Sequence, residues 1–285
     1  MKKDQLLTRR RVLTAGVAAL GAASAASAAH LLAAGPDPGP AHASAAAGPQ
    51  THHPQGPSAY RAYRLRPLAG NGPPHLSPPR TAVRRKPILR VPGHGRSMVL
   101  SFDDGPDPSW TPDILRTLRR YDVRAMFFVC GEMASYNKDL LREMADDGHV
   151  VGNHTWGHPL LTRMSRRAIR SEMERTCEVI EDACGRPPLW FRAPYGAWNR
   201  AAFQLGAELG MEPMAWTLDT RDWTRPGTRA IVHAVEEGAG RGVVVLSHDA
   251  GGNRSQSARA LRRYLPWLLD SGYHLTVPRR EREWT

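Results

Sequence analysis

Met98-Val-Leu-Ser-Phe-Asp-Asp-Gly-Pro-Asp107 is the stretch from which the fold can be read outward. Residues 98–102 are apolar and rich in β-formers, which predicts a short buried strand. Asp103 and Asp104 stand where that strand ends, and Gly105-Pro106 forces a turn. Side chains alternate along an extended backbone, so adjacent carboxylates diverge and suit different tasks. One can bind a metal while the other moves protons. Taken alone, the stretch is equally a solvated acidic turn, and the later segments of the chain decide between the two.

From Met98 onward, strand-like segments at 98–102, 124–129, 149–152, 189–191, 212–217, 242–247 and 273–277 alternate with helical patterns. The helices are predicted near 111–121, 133–147, 165–183, 198–209, 228–237 and 256–271. Such alternation predicts an α/β domain with a parallel sheet, closing as a distorted (β/α)7 barrel of TIM-barrel-like type. The chemistry-bearing residues fall just after predicted strand ends, where such a barrel builds its site.

Asn153-His-Thr-Trp-Gly-His158 follows one of these strands. If its backbone is helical, the four-residue spacing puts His154 and His158 on one face, as a divalent metal requires. The pair alone fits a structural role equally well. With Asp104 it completes a two-His, one-carboxylate set. Phe191-Arg-Ala-Pro-Tyr-Gly196 follows the next strand. There Arg192 either covers the barrel rim or sits against Asp103, stabilises the carboxylate and keeps its pKa low enough to act as a base. The Tyr195 N–H, exposed by the turn, can donate to an oxyanion. Asp222 and Trp223 put a carboxylate beside an aromatic ring, a pairing suited to sugars, although the ring could equally be packing. His248 ends the strand Val243-Val-Val-Leu-Ser-His248, and an Asp partner would raise its pKa and make it a proton donor.

These five segments, in this order, resemble the polysaccharide deacetylases of carbohydrate esterase family four. The likeness covers about residues 97–277. It implies Asp104, His154 and His158 as ligands of one divalent metal, zinc foremost, with cobalt or nickel able to serve. It implies Asp103 as general base, Arg192 as the residue orienting it, and Tyr195 as oxyanion donor. Asp222 then tunes the general acid His248, while Trp223 and Leu246 line an acetyl-group pocket. The implied reaction removes acetyl groups from N- or O-acetylated polysaccharides, with metal-bound water as nucleophile. Ser101 and Ala193 depart from the commoner threonine and proline, and neither touches a catalytic atom. Two rivals stand beside this reading. One is a catalytically inactive wall-polysaccharide-binding protein on the same barrel. The other is a glycosidase using Asp103 and Asp222, which leaves the histidine pair unexplained.

The chain carries a formal charge of +12, but unevenly: net +4 over 1–34, +8 over 35–97, and zero over 98–285. A neutral domain argues against nucleic acid, and a basic tail suits an anionic cell-wall surface. Residues 1–34, with Thr8-Arg-Arg-Arg-Val-Leu13 and an Ala/Gly-rich apolar run, read as a twin-arginine type export signal, a membrane anchor being the rival. Residues 35–96 read as a disordered, Pro/Gly-rich basic linker, 97–278 as the catalytic domain and 279–285 as a C-terminal tail. The expectation is a secreted or cell-wall-associated monomer acting on peptidoglycan, chitin fragments or acetylxylan. Cys130, Cys177 and Cys184 are too few for a disulfide scaffold and match no zinc motif, so free thiols are expected.

Overall fold

The computed structural model describes residues 81–92 and 95–278. The 1–34 signal, most of the 35–96 linker and the 279–285 tail therefore lie outside the described residues. In chain order the elements are β1 (Ser97–Asp103), α1 (Thr111–Arg120), β2 (Met126–Val129), α2 (Gly131–Tyr136), α3 (Lys138–Asp146), β3 (Val150–Asn153), α4 (Arg166–Cys184), β4 (Trp190–Phe191), α5 (Arg200–Glu208), β5 (Glu212–Pro213), β6 (Leu218–Asp219), α6 (Thr228–Gly238), β7 (Val244–His248), α7 (Ser255–Asp270) and β8 (His274–Leu275).

Every strand pairing is parallel, in the order β5-β4-β3-β2-β1-β7-β6, and β8 joins the start of β1. Parallel strands need long crossovers, and the helices supply them. The sheet curls with helices outside, a distorted (β/α) barrel in which no ladder joins β5 to β6.

Alternation along the strands divides the core. Met98, Leu100 and Phe102 of β1 face outward and pack with Ile114, Leu115 and Leu118 of α1 and Leu261 and Leu265 of α7. Val99 faces inward, among Met126, Phe128 and Val244. By the same alternation Ser101 and Asp103 of β1, and Leu246 and His248 of β7, share the inner face. The register sets Asp103 directly beside His248. Burying apolar side chains at roughly 1.5–3 kcal/mol each holds the frame that carries these polar ones.

Helix ends follow local chemistry. Ser165 caps α4 by accepting from the Ala168 N–H, and Gly185, at φ 70°, ends it in the left-handed conformation. Asn199 caps α5 in the same way through the Ala202 N–H at 2.8 Å.

Three segments differ from the sequence expectation. The helix foreseen over 133–147 breaks at Asn137, whose Nδ2 donates to the Met133 carbonyl at 2.9 Å and satisfies a group the helix would otherwise use. The strand foreseen at 212–217 shortens to β5, and β6 forms just beyond it at Leu218–Asp219, which brings the sheet to eight strands among the described residues. Met214 N still donates to the Phe191 carbonyl, but beyond it the chain turns to other partners: Ala215 N to the Ile88 carbonyl and Thr217 N to the Val244 carbonyl. Finally, Ile88 and Arg90, within the segment read as linker, form bridges to Met214 and Val243, and Val91 is buried. Two single bridges leave no period in the sequence by which to find them.

Candidate active site

Asp103 and Arg192 meet inside the barrel. Asp103 ends β1, and Arg192 follows β4 directly, its N–H bonded to the Asn153 carbonyl. The guanidinium is fully buried. Its Nη1 donates to Asp103 Oδ1 at 2.6 Å and to Ser101 Oγ at 2.9 Å, while Nε and Nη2 donate to the Met214 and Ala215 carbonyls. Phe128 lies against its face, 4.0 Å from ring centre to Cζ. Arg192 is therefore no rim cover. Ser101 Oγ also donates to the Val245 carbonyl, so this position, expected to touch no catalytic atom, contacts Arg192 directly, and a serine hydroxyl meets both demands. Burial raises the Asp103 pKa above its ordinary value, and the charge and hydrogen bond of Arg192 pull it back down without reversing that rise.

A second group forms around Asp104. The ligand atoms of Asp104, His154 and His158 all lie within 4.8 Å of one another. Asp104 Oδ1 is 3.6 Å from His154 Nε2 and 3.4 Å from His158 Nε2. These separations are too long for hydrogen bonds and suit ligands reaching one ion at about 2 Å. Asp104 Oδ1 is buried with no hydrogen-bond partner among the described residues, a cost that a cation would remove. His154 Nδ1 donates to the Arg192 carbonyl at 2.8 Å, which turns the Nε2 lone pair inward. Burial lowers the His154 pKa to about 3, so the ring is neutral as a ligand must be. The donor set fits a divalent metal.

The two histidines do not converge by a helix turn. Residues 154–160 are irregular, and Thr155 (φ 69°) and His158 (φ 57°) are left-handed. Asn153 Oδ1 accepts from the Thr155 N–H, and Glu172 Oε2 of α4 accepts from the N–H groups of Trp156 and Gly157. Glu172 is thus the positioning residue for this loop.

The third pair is His248 and Asp222. His248 Nδ1 lies 2.7 Å from Asp222 Oδ1, and the His248 backbone N–H donates to Oδ2 at 2.9 Å. Ser257 Oγ of α7 donates to the same oxygen at 2.6 Å, fixing a carboxylate that is 1 % exposed. Burial alone would lower the His248 pKa. The hydrogen bond and charge of Asp222, with Asp104 and Asp103 behind them, outweigh it and hold the imidazole at about 9.

A polysaccharide deacetylase family model matches residues 90–214. The chain is 37% identical over 207 residues to a chitooligosaccharide deacetylase of Rhizobium leguminosarum bv. trifolii, a match spanning 69% of this chain and 96% of that one. This chain belongs to the polysaccharide deacetylase family. Among solved structures, the Bc1960 peptidoglycan N-acetylglucosamine deacetylase superposes with a TM-score of 0.64 at 32% identity, covering 66% of this chain and 89% of that one. BA3943, a pseudoenzyme of carbohydrate esterase family four from Bacillus anthracis, gives a TM-score of 0.62 at 28% identity, covering 66% of each chain.

Within this deacetylase fold the remaining expected residues sit around these two pairs and the Asp104 cluster. Tyr195, at φ 61°, stands in a short 3-10 turn (Pro194–Gly196). Its ring packs edge-on to His158 with centres 4.5 Å apart, and its backbone N–H has no partner among the described residues. Trp223 is 53 % exposed beside buried Asp222, so it is not a core residue. Leu246 is buried on the same strand face as His248. All three cysteines are free.

Asp249, like Glu172 and Ser257, is a residue that sequence reasoning did not place in the site. It is 1 % exposed, and its Oδ2 accepts from Thr111 Oγ1 at 2.6 Å. Its carboxyl fills the space over Gly105 where a Cβ would stand: such an atom would lie 2.1 Å from Oδ2. Gly105 is thus a close-approach glycine that lets Asp249 brace the turn carrying Asp104. Burial pushes the Asp249 carboxyl up to about 7, the Thr111 hydrogen bond opposing and the Asp104 and Asp103 charges adding to the rise. Its only local signal was its place beside His248.

Proposed function

We propose that this chain is a metal-dependent hydrolase that removes acetyl groups from N-acetylglucosamine polymers. The observation that carries the proposal is the meeting of three groups at the C-terminal ends of the strands: the Asp104–His154–His158 cluster, the Asp103–Arg192 pair and the His248–Asp222 pair. Asp104, His154 and His158 would hold a divalent ion, zinc foremost or cobalt or nickel, which when bound supplies Lewis acidity toward a carbonyl oxygen and a water molecule.

The chain's own groups then divide the proton work. Arg192 fixes Oδ1 of Asp103, leaving Oδ2, 3.6 Å from His154 Nε2, to take a proton from attacking water as the new carbon–oxygen bond forms. The Tyr195 N–H is free to donate to the oxyanion that develops on the acetyl carbonyl oxygen. His248, held protonated by Asp222, gives its proton to the nitrogen as the carbon–nitrogen bond breaks, releasing amine and acetate. Trp223 and Leu246 border the place of the methyl group.

The sequence supports a further reading of where this happens: export through the 1–34 twin-arginine signal and retention on an anionic wall by the basic 35–97 segment. N-Acetylglucosamine polymers, peptidoglycan or chitin fragments, are therefore favoured over acetylxylan.

The test is acetate release by the metal-loaded full chain from chitooligosaccharides, peptidoglycan and acetylxylan, with metal content measured in parallel. Asp104→Ala, His154→Ala and His158→Ala should each lose both metal and activity, since three ligands leave no redundancy. Tight binding of the polymers without acetate release would establish the inactive wall-binding alternative. Full metal occupancy in a His154/His158 double variant would end the metal assignment.

A further inference from the structure

Tyr136 ends α2 with its ring 79 % exposed, among the most exposed large apolar side chains of the described residues. It borders a groove of about 330 Å³ whose walls include Pro108 and Pro112 of the β1–α1 connection and Asn137, Lys138 and Asp139 at the start of α3. The other end of α2 borders a second groove, of about 210 Å³, through Glu132 and Met133, and that groove contains Asp104 and His158. One short helix therefore separates the metal-ligand cluster from the Tyr136 groove. Over its length the backbone rises by only about 8 Å.

The spacing between the two grooves is held by a side chain. Asn137 Nδ2 donates to the Met133 carbonyl at 2.9 Å and reaches the Pro106 carbonyl at 3.4 Å, tying the end of α2 to the turn that carries Asp104. The chemistry of the groove selects a kind of occupant. Lys138 and Asp139 bring one charge of each sign, and each is already paired on the surface, with Asp182 at 2.7 Å and Arg142 at 2.5 Å. The rest of the lining is an aromatic ring, two proline rings, a leucine and neutral polar groups. An exposed tyrosine over such a surface suits a neutral ligand with an apolar face and peripheral hydroxyl or amide groups.

We propose that the Tyr136 groove is a binding subsite for a sugar of the polymer chain beyond the residue being deacetylated, the Tyr136 ring stacking on a pyranose face. This rests on the function proposed above and deepens it: the substrate is a neutral β-linked N-acetylglucosamine chain long enough to cross α2.

The experiment compares N-acetylglucosamine dimer and pentamer as substrates of the zinc-loaded full chain. Wild type, Tyr136→Ala and Tyr136→Trp are compared, and calorimetric binding of the pentamer to the same proteins is measured alongside. Wild type should show a higher kcat/KM for the pentamer. Tyr136→Ala should cut the pentamer-to-dimer ratio about three- to ten-fold, through KM rather than kcat, with the same loss in pentamer affinity, and Tyr136→Trp should restore both. A ratio and a pentamer affinity that Tyr136→Ala leaves unaltered would overturn the subsite, as would the absence of any gain from dimer to pentamer in wild type. If wild type binds the pentamer but releases no acetate, the hydrolase reading fails. The calorimetric loss in Tyr136→Ala then still decides the subsite.

Discussion

At the scale of single residues, the proposed base Asp103 and the proposed acid His248 differ in environment. Asp103→Asn keeps the side-chain shape but removes proton affinity, so turnover should fall roughly 10²–10⁴-fold on every substrate with metal content unchanged. His248→Ala should depend on the leaving group: severe for an N-acetyl sugar, whose amine must leave protonated, and mild for an aryl acetate, whose phenolate leaves unaided. Equal losses on the two substrates, read as kcat/KM, would remove the acid role. The pH profile offers an independent check. The His248 pKa stands at about 9, above its ordinary 6.5, so the acid form persists through neutrality and activity should decline as pH rises through the folded value. The stabilising effect of the pair has the same sign: it is full below about 6.5 and lost as pH rises toward 9. Asp222→Asn removes the carboxylate that outweighs burial, so the basic limb of kcat/KM should move to lower pH. A limb that stays in place would assign it to another group. The identities of all these residues were readable from segment order. Their partners Ser257, Glu172 and Asp249 were not, because each acts through a fold contact: Ser257 on Asp222, Glu172 on the histidine loop, and Asp249 on Gly105 and Thr111.

At the scale of elements, the β2–β3 neighbourhood carries a pH sensitivity of its own. His149, 1 % exposed before β3, accepts the Ala125 N–H on Nδ1 at 3.2 Å and packs on Phe127, and its Nε2 has no partner among the described residues. Burial lowers its pKa to about 4, with Asp147 opposing. Protonation would set a ring N–H against the Ala125 N–H. The folded protein binds this proton less well than the unfolded chain does, so the contribution is full above about 6.5 and is lost as pH falls toward 4. The loss amounts to at most about 3 kcal/mol. The melting temperature should therefore drop between pH 7 and pH 4.5, and His149→Asn, whose Oδ1 can take the place of Nδ1, should flatten that dependence. An identical slope in the variant would place the sensitivity elsewhere. Strand order and helix order were legible here because burial patterns repeat within a few residues. The breaks at Asn137 and after Pro213 were less so, because each depends on whether a nearby or distant carbonyl is free to accept.

At the scale of the whole molecule, the described domain begins before its first long strand. Ile88, Arg90 and Val91 lie against the strand ends of the sheet, with Ala215 N bonded to the Ile88 carbonyl and Val91 N to the Gly242 carbonyl. A chain beginning at Thr81 should melt with the full-length domain. One beginning at Ser97 should melt about 3–12 °C lower, since it loses the burial of Val91 and part of Ile88. Equal melting temperatures for the two truncations would show that the bridges add nothing.

From its sequence alone this chain determined its residue chemistry, its strand–helix alternation and the set of side chains placed at strand ends. Each of these is written within a few neighbouring residues. Tertiary structure decided the rest. The parallel register set Asp103 beside His248. A left-handed loop braced by Glu172, not a helix turn, brought His158 toward Asp104. Burial overrode Arg192 in setting the Asp103 carboxyl and was itself overridden by Asp222 at His248. The reason is common to all three. Solvent exclusion and the approach of groups distant in sequence exist only once the sheet has curled.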